Sequence, residues 1–101
     1  MAERFLTFFR VLKDAQDQQR RAILKTLSPS QHTAILEAIY NVLKGTCDLS
    51  DKDKKKLFRY KTIIRKLVSK TTTRATQRRL LIKYQHLLPV LLKTAITYLE
   101  Q

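Results

Sequence analysis

Turn-forming residues are scarce in this chain: one glycine, Gly45, and two prolines, Pro29 and Pro89, in 101 residues. That leaves little material for the tight turns of a β-sheet, and the stretches between are long and periodic, so an all-helical fold is expected. Tryptophan is absent and cysteine occurs once, as Cys47. A single thiol excludes an intramolecular disulfide and a cysteine-rich zinc site, and it suits a reducing compartment. No apolar run approaches the ~20 residues that span a bilayer as a helix. The opening MAERFLTFFRVLKD carries an acid at position 3 and no small-residue cleavage site, which makes a poor secretory signal.

The most informative scarcity is of acids between Lys52 and Lys83. This third of the chain holds thirteen of the 21 Lys and Arg residues and one acid, Asp53, whereas the other 69 residues hold eight basic and seven acidic side chains. Almost the whole net charge of +13 therefore lies in one stretch. Charge gathered in this way repels itself in a folded protein and has almost no i,i+4 acid to offset it, which points to a polyanionic partner. At 44% hydrophobic residues the chain can nevertheless build a core, so it is not a disordered basic tail.

In chain order, residues 2–14 have helical periodicity. Phe5, Phe8, Phe9 and Leu12 fall at i, i+3, i+4 and i+7, with Leu6 and Val11 beside them. This stripe is expected on the domain's own core, or else as a docking helix for a partner or a membrane surface. The polar DAQDQQRRA that follows predicts a break near Asp17 and a short second helix ending at Leu27. Ser28-Pro29-Ser30-Gln31 spells an N-cap, a proline at the first helical position and a capping box. The helix so opened buries Ile35, Ala38, Ile39, Val42 and Leu43, and stops at Gly45.

Ser50 caps the next helix, whose first turn holds Asp51 and Asp53. Read as one helix to residue 69, it has a core face of Leu57, Tyr60, Ile64, Leu67 and Val68, with Ile63 alongside. Lys52, Lys55, Lys56, Arg59, Lys66 and Lys70 form the opposite face, flanked by Lys54, Lys61 and Arg65. Thr71-Thr72-Thr73 ends it and caps the last helix. There Arg74, Arg78, Arg79 and Lys83 extend the cations, while Leu80, Leu81, Tyr84, Leu87 and Leu88 begin the apolar side. Pro89 is expected to kink this helix. Beyond it Val90, Leu91, Leu92, Ala95, Ile96, Tyr98 and Leu99 are apolar nearly all round, as in a segment buried centrally, shared between subunits or laid in a membrane interface.

Catalytic chemistry has little to stand on. The acids sit mostly at helix starts, where capping explains them, and His32 and His86 have no carboxylate or Cys at ligand spacing. Cys47 lies in a loop beside Lys44 and Asp48, and no phosphate loop or serine-nucleophile motif is present. No enzyme, metal or cofactor is therefore expected. The cations suit phosphate neutralisation more than base readout, because Asn and Gln are few among them and Phe58 and Tyr60 are expected in the core. Ser69, behind Arg65-Lys66 and near Thr71–Thr73, is placed for a basic-directed kinase, whose phosphate would weaken the positive field.

From Ile23-Leu24 to Leu92 the chain resembles a family of small basic proteins of Polinton/Maverick elements and adintoviruses. The residues that carry the resemblance are Gln31 with Ala34-Ile35, Asn41-Val42-Leu43-Lys44-Gly45, Leu49-Ser50, and Arg59-Tyr60-Lys61-Thr62-Ile63-Ile64-Arg65-Lys66-Leu67. They continue with Arg79-Leu80-Leu81 and Leu88-Pro89-Val90-Leu91-Leu92. The order of a basic stretch and then Leu-Pro is similar to adenovirus core protein X precursors, which implies a genome-condensing virion component. Gln85-His86 stand where the family usually has Gly-Gly, which favours a continuous helix up to Pro89.

The expectation is a single all-α domain over 1–101, a compact bundle of four to five helices. Its core is formed by the 29–44 helix, the apolar side of 51–69 and a Pro-kinked apolar C-terminal helix. Its function is sequence-tolerant binding and condensation of nucleic acid, DNA before RNA, in a virion or host nucleus. Lys52, Lys55, Lys56, Arg59, Lys66, Lys70, Arg74, Arg78 and Arg79 are the contacts. The alternatives are a membrane-active or capsid-adaptor protein and a homo-oligomeric scaffold. In these, Phe5, Phe8, Phe9, Leu91, Leu92 and Ile96 meet a membrane surface, a capsid protein or a second copy.

Overall fold

The computed structural model describes residues 2–45 and 49–100, with the backbone alone at Ala2 and Glu3; Cys47 and its loop lie outside them. Among the described residues there is no strand, and there are seven α-helices rather than the four or five expected. These are α1 (Leu6–Asp14), α2 (Asp17–Lys25), α3 (Pro29–Leu43), α4 (Asp51–Phe58), α5 (Lys61–Val68), α6 (Arg74–Lys83) and α7 (Leu88–Leu99). A 3₁₀ turn at Ala2–Phe5 precedes α1, and another at Gln85–Leu87 joins α6 to α7.

The caps fall largely where the side chains place them. Ser28 Oγ accepts from Gln31 N–H at 3.1 Å, and Gln31 Oε1 accepts from Ser28 N–H at 3.0 Å, so two of the orphan donors at the start of α3 are satisfied. Ser50 Oγ accepts from Asp53 N–H and Thr73 Oγ1 from Thr76 N–H. Gly45 follows the last turn of α3 with φ +87°, a backbone conformation that costs other residues a steric penalty. At α2 the cap is Gln16, paired with Gln19, so the expected break falls just before Asp17, and the helix ends at Lys25 and not at Leu27.

Two expected helices are divided. The 51–69 helix breaks at Arg59–Tyr60, where Tyr60 N–H turns back to Leu57 O at 2.9 Å. A straight rod over that range would run about 28 Å, the width of the molecule, whose extents are 32 × 28 × 25 Å. The break keeps Leu57, Ile64 and Leu67 all inside the core. The last helix breaks before its proline and not at it. α6 ends at Lys83, Gln85-His86 lie in the 3₁₀ turn, and Pro89 sits in the first turn of α7. There its missing N–H has no partner to lose, so Pro89 starts a helix instead of kinking one.

One continuous core gathers side chains from all seven helices apart from the polar face of each. α1 lies along α7, α3 packs on α7 and α5, and α6 packs on α2 and α5. Phe9 and Leu12 are fully buried, and Phe5 and Phe8 pack half-buried against the core. The first helix thus joins the domain's own core, the first of the two places expected for its apolar stripe. Val11, read as lying beside the stripe, is exposed.

Candidate nucleic-acid interface

Eleven of the thirteen cations between Lys52 and Lys83 are exposed, while Lys61 and Arg78 are half-buried. Lys52, Lys55, Lys56 and Arg59 lie on α4 and its end. Lys66 is on α5, Lys70 in the turn after it, and Arg74, Arg78 and Arg79 on α6. The break at Arg59–Tyr60 means that these residues do not share one straight helix face, as the sequence reading had them. Three local contacts relate them. Lys70 and Arg74 line one groove against α3 with Glu37 and Tyr40. Lys54 and Lys61 flank a cavity beside Phe58. Tyr60 packs edge-on to Tyr84 and His86, with centroids 6.1 and 5.4 Å away, which sets the α4–α5 turn beside Lys83.

The ion pairs avoid this stretch. Among the described residues they are Arg10–Glu100 at 2.7 Å, Lys13–Asp14 and Arg20–Asp17 at 3.3 Å, and Lys93–Asp53 at 3.0 Å. Every cation in them comes from outside Lys52–Lys83. Even Asp53, the one acid of the basic stretch, is engaged by Lys93 of α7. The Lys93 hydrogen bond, aided by one from Ser50, holds the Asp53 carboxyl below the usual carboxylate range against the opposing effect of its burial.

The helix starts reinforce the pattern. α5 begins with Lys61 and α6 with Arg74, and neither has an acid in its first turn. A cation at the positive end of a helix is unfavourable by about 0.3–1 kcal/mol, so these positions run against local stability. Arg74 donates to Thr33 Oγ1 at 3.0 Å. Ser69 closes α5, and its hydroxyl and that of Thr71 hydrogen-bond at 2.9 Å, half-exposed beside Lys70.

Phe58 is a correction. Expected in the core, it is 71% exposed, and Lys61 Nζ stands 5.5 Å from its ring centroid. The helical register shows why: Phe58 is about 100° round from Leu57 and shares its face with Lys54 and Lys55. The apolar contact set is a second correction. Phe9, Leu91, Leu92 and Ile96 are buried in the core, so this fold does not present them to a membrane or a partner; Phe5 and Phe8 are half-buried against it. No helix among the described residues is long and apolar enough to cross a membrane, and none of their His, Cys, Asp and Glu side chains gather in threes that could hold a metal ion.

Comparison with known proteins finds no matching family model, curated protein or solved structure.

Proposed function

We propose that the chain is a non-catalytic protein that binds and compacts nucleic acid through the phosphate backbone, with little regard to sequence. One observation carries this reading: none of the cations of Lys52–Lys83 enters an ion pair with a described acid, although the rest of the chain pairs four of its own. Surface cations that no described acid engages can exchange condensed counterions for phosphates. The resemblance to basic proteins of virus-like elements supports DNA as the polymer and a virion or host nucleus as the place. The acids give catalysis little support, since Asp14, Asp17, Asp53 and Glu100 are all in ion pairs.

The test is binding to duplexes of unrelated sequence across a salt series. With about six phosphate contacts, log K against log salt should slope near −5. Reversing charge at Arg59 and Lys66 together (R59E, K66E) should weaken every sequence alike and flatten the slope by about two. A flat salt dependence, or a variant that binds as the parent does, would sink the reading.

A further inference from the structure

In the cavity beside Phe58, apolar surface of the core meets cations of the basic stretch. It measures about 260 Å³ and is walled by Val42, Leu57, Ile64 and Leu91, with Lys54, Phe58 and Lys61 among the residues around it. Drug-sized ligands occupy about 300–1,000 Å³, so this space suits one ring system and not an acyl chain. Lone exposed apolar residues are ordinary on protein surfaces, but Phe58 is 71% exposed and adjoins an apolar cavity. Among the described residues, the polar side chains around that cavity are two lysines. Lysine is depleted at the centre of protein–protein interfaces, so the composition disfavours a groove for an apolar peptide. Alternating cations and an aromatic ring match a strand of alternating phosphates and flat bases.

We propose that Phe58 and the cavity beside it receive an unpaired base, with Lys54 and Lys61 drawing the phosphates on either side of it. The inference rests on the reading above that the partner is nucleic acid, and it adds that an unpaired strand is held by its bases as well as its backbone. Lys61 is already seated near the ring, so a phosphate drawn to it arrives with its base next to Phe58. Duplex DNA, whose bases are stacked inside, would use the other cations and leave Phe58 idle.

Three probes of equal length separate the contributions: an oligothymidylate, a strand of abasic sites and a duplex. At physiological salt the full chain should bind the oligothymidylate about tenfold or more tightly than the abasic strand. F58A should abolish that difference while leaving abasic and duplex binding as they were, and F58Y should retain it. Phe58 lies outside the core, so both variants should melt with the parent, which circular dichroism would verify. Oligothymidylate binding unchanged in F58A overturns the inference while leaving the polyanion reading standing, provided the duplex still binds. Silence of all three probes overturns both. Loss in F58A of binding to a Glu/Leu peptide, with the oligothymidylate unaffected, would assign the cavity to a protein and overturn the inference.

Discussion

Arg20 and Arg21 are adjacent and chemically identical, yet they have opposite fates. Arg21 is exposed, while Arg20 is 4% exposed and folds back over the end of α1. Its Nε donates to Leu12 O at 2.9 Å, and its Nη2 donates to Lys13 O at 3.1 Å and Ala15 O at 2.6 Å. Leu12 and Lys13 belong to the last turn of α1, whose carbonyls lack an intrahelical donor, and Ala15 is the extended residue that follows it. The rigid guanidinium fork is what lets one side chain serve all three carbonyls. R20A should therefore destabilise the fold by about 3 kcal/mol, since it leaves buried acceptors unpaired. R20K should recover little of that, because an ammonium cannot reproduce the fork. Urea melts of the two variants beside R21A, which should be within about 0.5 kcal/mol of the parent, would decide it. Nothing in DAQDQQRRA distinguishes the two arginines, because the selection is made by where α1 happens to end. The His32–Gln77 contact at 2.9 Å, with Gln77 donating to Leu67 O, was equally invisible. It joins residues 45 positions apart, and neither periodicity nor spacing reports such a pair.

Caps written in short side chains were legible at the scale of elements, because Ser28, Ser50 and Thr73 each act within three residues of themselves. Breaks imposed by distant packing were not. The apolar stripe runs through Arg59–Tyr60 without interruption, so periodicity alone extends the helix, and only the confined volume of the molecule divides it. α4 is the element most dependent on such distant ties, with Leu57 in the core and the Asp53–Lys93 pair to α7. The lowered Asp53 pKa gives this tie a pH signature. A carboxylate favoured in the folded state adds stability that is fully present above its unfolded pKa, about 3.9. That stability is lost as pH falls through the lower folded value. D53N should thus be less stable than the parent at pH 6, and the gap should close progressively below about pH 4. Thermal melts across pH 2–7 would show it; a gap independent of pH would mean that the pair contributes no charge-dependent stability.

The whole molecule is small against the reach of its own field. At 0.01 M salt the Debye length is about 30 Å and at 0.15 M about 8 Å, while the molecule measures 32 × 28 × 25 Å. At low salt every one of its unpaired cations therefore feels the others, and at physiological salt only near neighbours interact. Salt also weakens the four ion pairs, but exposed pairs contribute at most about 1 kcal/mol each, and all four have a partner nearly half exposed or more. For a net charge of +13 the relief of repulsion should win. The melting temperature should rise between 0.01 and 0.15 M sodium chloride, by on the order of 1 kcal/mol or about 4–8 °C. Over the same range nucleic-acid affinity should fall. The total charge was readable from composition, but which cations are already neutralised, as Arg20 and Lys93 are, required the fold. Opposite salt trends in stability and affinity would trace both to one surface that folding leaves uncompensated. A melting temperature that falls with salt would mean the cations are balanced within the fold, and the argument for a polyanionic partner would lose its physical basis.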